Sequence, residues 1–317
     1  MFPSPTGGAT LFEQAKLPTI VFANLQSGSG KSRNLLPHIE RTFRMQGRDV
    51  QIRETSDSSD LELQARKAIL DGVRVFFAMG GDGTLQGLVN AAYGTDVLLG
   101  VIPVGGGNDF ARALGLPRDP IAALQKGLSG APRNVDLVRV RTADARERLY
   151  LGGGGVGLDA EAAKHACGRY RNWPGRWRYM AATLHAFRMH RPSAIRAILN
   201  DDPQTLRRET LLLASVLNTP TFGSGIRLAP NARIDDGLLD LIFVEELSFG
   251  QLLRIVPGLL LSGKLEIPQL SRMQIKRVRL ETETPRAFHG DGEILGPTPV
   301  EIEVVPNAVR ILAPKVA

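Results

Sequence analysis

Apolar positions along the first 131 residues fall into two alternating textures. Short runs rich in apolar residues, PTIVFAN (18–24), DVQIRET (49–55), VRVFFAM (73–79) and DVLLGVIPV (96–104), predict strands. RNLLPHIERTFRMQG (33–47), LELQARKAILDG (61–72), TLQGLVNAAYG (84–94) and DPIAALQKGL (119–128) read instead as helices with one apolar face. Asp119 before Pro120 predicts a capped start for the last of these. The order βαβαβαβα, with strands nearly continuous in apolar residues, predicts a parallel sheet covered by helices on both faces.

After about residue 131 the pattern changes. NVDLVRVR (134–141), ERLYLGG (147–153), AIRAILN (194–200), ETLLLASVLN (209–218), GLLDLIFVEE (237–246), SRMQIKRVRLE (271–281), PVEIEVV (299–305) and VRILAP (309–314) predict short, mostly antiparallel strands. Two helical stretches interrupt them. One covers 157–190, and the other opens at the capping box Ser248-x-x-Gln251 and runs to about Ser262. The expected fold is an α/β domain with a parallel sheet over 1–131, then a β-rich sandwich domain over 132–305. Residues 306–317 are expected to pack back onto the first domain.

Composition adjusts this picture in three ways. The chain has 317 residues with one cysteine, Cys167, so it has no internal disulfide and suits a reducing cytoplasm. Its longest apolar runs fall far short of the roughly 20 residues that span a bilayer, and MFPSPTGGATLFEQ lacks the basic and apolar regions of a signal peptide. Net charge is +7, which favours an anionic partner. The charge is concentrated: 162–200 holds eight Lys or Arg, no Asp or Glu, and both tryptophans of the chain. Trp173, Arg176, Trp177 and Arg178 are therefore expected to contact an anionic membrane, because such aromatics favour the interface and basic residues its charge. Pro174 and Gly175 are expected to break this segment into two helical pieces joined by a turn carrying both tryptophans. No nucleic-acid partner is expected, and the protein is read as cytoplasmic and peripherally membrane-associated.

Ligands of an open parallel sheet sit beyond the carboxyl ends of its strands. Three glycine-rich loops fall on that edge: NLQSGSGKS (24–32), GGDGT (80–84) and GGGNDFAR (105–112). Thr55 ends strand two on the same edge. Glycine loops that open into helices offer backbone N–H groups to phosphate. Neither familiar nucleotide motif survives inspection. SGSGKS lacks the glycine that a Walker loop needs at Leu25, and GGGGVG (152–157) has no acidic residue about 20 positions on to hold a ribose.

The three loops together resemble the catalytic domain of the diacylglycerol kinase family, which includes bacterial lipid kinases, sphingosine kinases and ceramide kinases and is distantly similar to phosphofructokinases. FGSGIRLAPNARIDDGLLDL (222–241) and HGDGEIL (289–295) are similar to the family's second-domain segments. The resemblance implies an ATP-dependent lipid kinase that uses Mg²⁺, with a nucleotide-binding α/β domain over 1–131 and a lipid-substrate β-sandwich domain over 132–305. It implies phosphate and nucleotide contacts at Asn24, Thr55, Gly81, Asp82, Gly83, Thr84, Gly106, Asn108 and Asp109. Asp82 would act through Mg²⁺, and Glu293 would be the general base that takes the lipid hydroxyl's proton. In the bacterial members a structural Mg²⁺ sits in the segment matching RIDDGLLD, which implies Asp236 with the backbone carbonyls of Arg233 and Leu238. His289 is read as a loop contact. Two departures stand out: Leu25 replaces the usual proline, and Gly106 the usual threonine. Two rivals stay open, a NAD kinase-like small-molecule kinase and a catalytically degenerate membrane-binding module. The identity of the lipid, the choice of nucleotide and the existence of a homodimer are also left open.

Overall fold

The computed structural model describes residues 17–170, 173, 175–190, 193–223 and 225–315. Strands β1 (Thr19–Ala23), β2 (Val50–Glu54), β3 (Val75–Gly80) and β4 (Leu98–Pro103) pair in parallel, in the order β2-β1-β3-β4. Helices α1 (Leu36–Met45), α2 (Ser58–Leu70), α3 (Asp82–Ala92), α4 (Asp109–Ala113) and α5 (Pro120–Leu128) follow the strands. Alternation along β3 sends neighbouring aromatics to opposite faces. Phe76 packs edge-on against Phe22, and Phe77 edge-on against Phe43 of α1, with ring centroids 5.3 and 5.1 Å apart. β1, β3 and β4 are buried on both faces, which is why apart from Thr19 they lack polar positions, whereas the edge strand β2 carries Gln51, Arg53 and Glu54. The expected α/β half with a parallel sheet is what the chain forms.

The caps behave as their residue types require. Asp119 accepts from the Ala122 N–H at 2.8 Å. Ser248 and Gln251 satisfy each other's backbone N–H groups at 3.2 and 2.8 Å, the two halves of a capping box. The segment 27–35, expected in part as α-helix, is instead a 3₁₀ turn ahead of α1.

The second half is β-rich, as expected. Its strands are β5 (Ala131–Arg141), β6 (Glu147–Tyr150), β7 (Gly153–Gly157), β8 (Ser193–Leu199), β9 (Asp202–Leu217), β10 (Leu239–Glu245), β11 (Leu270–Ile275), β12 (Arg277–Thr282), β13 (Ala287–Gly290), β14 (Glu293–Pro297) and β15 (Val300–Ala313). One layer runs β14-β13-β7-β9-β10-β11 and the other β6-β5-β15-β12-β8, and β9 belongs to both through its two ends. Tyr150, Phe243 and Phe288 fill the space between them with branched aliphatics.

Two predicted strands, 299–305 and 309–314, are one element. β15 follows β5 antiparallel across a bulge, and at Arg310 and Ile311 it runs parallel to β4. A single strand pair thus ties the two halves into one sheet. The helical stretch 157–190 divides into α6 (Leu158–Cys167) and α7 (Gly175–Met189), and α8 (Phe249–Ser262) follows β10. Trp177 lies inside α7, not in the turn that carries Trp173, because the helix restarts at Gly175 directly after Pro174.

Candidate functional site

The glycines of GGDGT are required by space. A Cβ on Gly80 would lie 2.1 Å from Thr84 Oγ1. One on Gly105 would lie 2.5 Å from the Cα of Gly81, so loops two and three touch backbone to backbone. One on Gly83 would meet Glu293 Oε1 at 3.1 Å. Glu293 starts β14 of the second half, so the GGDGT and GDGE loops meet across the cleft. Thr84 is no cap: the start of α3 has no side-chain cap, and the Thr84 N–H donates to the Gly81 carbonyl.

Two cavities flank this junction. The polar one, about 170 Å³, is lined by Asn24, Thr55, Gly81, Gly83, Thr84 and Glu293, together with Ser27, Asp57 and Ser58. Five of the sequence-expected nucleotide contacts and the expected base therefore share one wall. The other cavity, about 250 Å³, is walled by Leu158, Leu184, Leu212, Phe222, Ile226 and Val244 from α6, α7, β9, β10 and the segment after β9. Its polar end carries Asp82, Asp109, Asp159, His289 and Asp291. Gly106 and Asn108 line neither cavity. Asn108 takes a left-handed backbone, φ +53°, and its side-chain amide closes the loop onto the Gly105 carbonyl at 2.7 Å.

Acidic groups dominate the junction. The Asp82 carboxylate accepts the Asp109 and Phe110 N–H groups, both at 3.2 Å. Burial, then the charges of Asp109 and Asp291, push its pKa up to about 7. Asp291 accepts from the N–H groups of Leu151, Gly152 and Gly153 at 2.8, 2.8 and 3.1 Å, yet burial still raises it to about 6. Burial, with Asp291 nearby, also raises Glu293 above the usual glutamate range. Asp109 is braced by Arg112 at 2.5 Å and by the Thr221 hydroxyl at 2.7 Å, a link from α4 to the second half. Neither Asp291 nor the Arg112–Thr221 brace was singled out in the sequence. The available signal for Asp291 was its Asp-Gly turn, which here has φ +50° and +89°.

Among the described residues no three His, Cys, Asp or Glu side chains converge on a metal position. A Mg²⁺ at the junction would complete its shell with phosphate oxygens and water, as that ion commonly does. The Asp236 turn has a suitable donor chemistry of its own. Asp236 is exposed, with Oδ1 accepting the Leu238 N–H at 3.1 Å. Burial and then the Asp236 charge push Asp240 up to about 6, against the opposing pull of the Arg272 guanidinium. Asp136 beneath them anchors the turn through the Gly237 N–H at 2.7 Å.

Trp173 and Trp177 are half exposed, at 50% and 53%. Phe249 and Leu253 of α8 are similarly open, at 47% and 49%. The side chain of Arg176 lies outside the described residues, and Arg178 is partly buried.

The family described as diacylglycerol kinase catalytic domain matches residues 18–140. That described as YegS C-terminal NAD kinase beta sandwich-like domain matches 154–313, half of the chain. The chain is 32% identical over 276 residues to the diacylglycerol kinase of Mycobacterium tuberculosis (strain ATCC 25618 / H37Rv), covering 86% of this chain and 88% of that one. The chain belongs to the diacylglycerol kinase family. It is a lipid kinase, a phosphotransferase whose family implies ATP as phosphoryl donor. The protein named "Probable lipid kinase YegS-like" of Stenotrophomonas maltophilia (strain K279a) is 29% identical to the kinase, over 93% of this chain and 95% of that one. A crystal structure of a diacylglycerol kinase from Bacillus anthracis str. Sterne shares the fold, with TM-score 0.70 and 19% identity over 93% of this chain and 96% of that one. Among the described residues, no helix of the kinase is long and apolar enough to cross a membrane.

Proposed function

We propose that the kinase transfers the γ-phosphoryl group of ATP to the free hydroxyl of a diacylglycerol-type lipid at the surface of an anionic membrane. One observation carries this reading: the apolar cavity ends on Asp82 and Asp291, and the polar cavity begins on the same two loops at Gly81, Gly83 and Glu293. A lipid tail belongs in the first and phosphates in the second, so the hydroxyl and the γ-phosphorus meet between them. The N–H groups of Gly81, Gly83 and Thr84 at the start of α3 would hold phosphate oxygens. Asn24 and Thr55 would bound the nucleotide, with Asn108 and Gly106 shaping the third loop. Glu293, raised toward neutrality, would take the hydroxyl proton as the new P–O bond forms. Asp82 and Asp109 would hold Mg²⁺, which when bound supplies positive charge to the phosphate oxygens. A soluble dinucleotide acceptor would find few partners on walls of leucine, isoleucine and phenylalanine.

The test is mass spectrometry of total bacterial lipids after incubation with Mg²⁺ and isotopically labelled ATP, with NAD in a parallel reaction. Label in phosphatidic acid is expected. Label in NADP, or ATP turnover without a lipid product, would replace this reading.

We also assign a structural divalent cation to the Asp236 turn, with the Arg233 and Leu238 carbonyls as further ligands. Chelation is then expected to lower the Tm by several degrees without nucleotide, because a ligand bound only to the native state adds stability by mass action. Asp236→Ala should have the lower Tm already and no response to chelator. Equal responses in the two proteins would remove Asp236 from the site.

The exposed Trp173 and Trp177 are assigned to membrane docking. Co-sedimentation with vesicles should rise with anionic lipid and fall with salt. A Trp173→Ala, Trp177→Ala double variant is expected to lose at least about tenfold in partitioning, since two half-buried aromatics contribute on the order of 1–2 kcal/mol. Its turnover of detergent-dispersed substrate should hold. Parent-like sedimentation of the variant would place the docking surface elsewhere.

A further inference from the structure

The polar end of the apolar cavity contains one group that the chemistry above does not use. His289 of β13 is 1% exposed and lines that cavity. It is paired across the sheet with Gly155, two residues before Asp291 and four before Glu293. Its ring is apolar-flanked, with centroids 5.6 Å from Phe222 and 6.5 Å from Phe288. Neither ring nitrogen has a hydrogen-bond partner among the described residues. Buried polar atoms are ordinarily paired, so an imidazole left open in a cavity wall points to a partner that arrives with the ligand.

Asp159 decides which nitrogen is left for it. Nε2 lies 3.4 Å from Asp159 Oδ2, near enough for attraction. Asp159 itself is held from both sides. The Ala160 N–H donates to Oδ1 at 2.8 Å, and the Ser215 hydroxyl donates to Oδ2 at 2.5 Å. A Cβ on Gly155 would lie 2.1 Å from Asp159 Oδ2, so the glycine run of β7 makes room for this carboxylate. Both carboxylate oxygens take donors, which fixes the orientation of Asp159 and with it the side of the ring that Nε2 faces. Nδ1 remains for a neutral oxygen.

We propose that His289 is the specificity-determining residue of the substrate cavity, hydrogen-bonding through Nδ1 to a second oxygen of the lipid, on the carbon beside the one that bears the reacting hydroxyl. Asp159 is its positioning residue. The site selects a glycerolipid with a vicinal ester oxygen over a simple long-chain alcohol. This rests on the lipid-kinase reading above.

The experiment compares the parent with His289→Phe, which keeps a ring against Phe222, and His289→Gln, which restores a hydrogen-bonding group. Each is assayed with Mg²⁺ and ATP on micelles of 1,2-diacylglycerol or of a chain-matched primary alkanol. His289→Phe is expected to lower kcat/KM for diacylglycerol by about 50-fold, the range of one hydrogen bond in a buried site, and to leave the alkanol unchanged. His289→Gln should recover part of the loss. Equal losses on both substrates, or no loss on diacylglycerol, would overturn the assignment. Thermal stabilisation by diacylglycerol without ATP separates this inference from the kinase reading. If the parent is stabilised and His289→Phe is not, while no lipid is phosphorylated, the kinase reading falls and the His289 contact stands. A parent that neither binds nor phosphorylates diacylglycerol overturns the contact.

Discussion

Glu293→Gln is expected to lower kcat by about a thousandfold while the protein stays folded, in line with the 10²–10⁴ range for general acid–base catalysis. The amide keeps the shape of the side chain against Gly83, where a Cβ would already sit 3.1 Å from Oε1, so the cleft keeps its form. What it loses is a proton acceptor. A lipid hydroxyl is a poor nucleophile with its proton on, and Glu293 is the carboxylate that lines the phosphate cavity at the meeting of the two halves. KM for ATP should change little, because the N–H groups of Gly81, Gly83 and Thr84 are untouched. The raised Glu293 also predicts a pH profile: kcat/KM of the parent should fall with acidification from a midpoint above the ordinary glutamate range, and that limb should vanish in the variant. A variant that keeps turnover within threefold of the parent removes Glu293 as the base.

Asp82→Asn is expected to abolish most turnover and at the same time to make the variant more stable relative to the parent as pH rises. The folded carboxyl titrates at about 7 against 3.8 for the free side chain, because burial and the charges of Asp109 and Asp291 oppose ionisation. Below about pH 4 both folded and unfolded chains carry the proton, and the site costs nothing. Between there and pH 7 the unfolded chain ionises first, so stability falls as pH rises. Above pH 7 the full penalty is present. At about 1.4 kcal/mol per pKa unit its upper bound is about 4 kcal/mol, and partial exposure of the loop reduces this to about 1–2 kcal/mol. Asparagine cannot ionise, but it has one oxygen where the carboxylate uses two, Oδ2 for the Asp109 N–H and Oδ1 for the Phe110 N–H, so one of these donors loses its acceptor at every pH. The Tm of the variant relative to the parent should therefore start lower at pH 4 and rise toward pH 8. Loss of turnover of about a thousandfold would accompany it, since electrostatic stabilisation of the transferred phosphoryl group rests on the metal this carboxylate would hold. A Tm difference that does not rise between pH 4 and pH 8 would show that the three carboxylates do not oppose one another.

Several features of the kinase were legible in the sequence because their physics is local. Unbroken apolar runs must be buried on both faces, so PTIVFAN, VRVFFAM and DVLLGVIPV could be little else than central parallel strands. Asp119, Ser248 and Gln251 cap helices through atoms at most three residues away. Three glycine loops after three parallel strands must emerge on one edge, which brought Asn24, Gly81, Gly83 and Thr84 to one cavity wall. The tertiary structure alone decided the rest. The glycine run 153–157, which has almost no side chains to pattern, is strand β7. Its glycines are needed because Leu217, Asp159 and the His289 carbonyl crowd against it from elsewhere in the chain. No local pattern distinguished His289, a turn neighbour by sequence, from a surface residue. It is buried because β13 pairs with β7, more than a hundred residues away. Strand β15 could not be seen as one element, because its bulge breaks the alternation and its two ends face different partners, β12 and β4. Hydrophobic period and capping act over a few residues, whereas strand pairing, burial of a polar side chain and the meeting of Glu293 with Gly83 depend on which distant segment arrives alongside. That arrival is settled only when the whole apolar surface of the chain is buried at once.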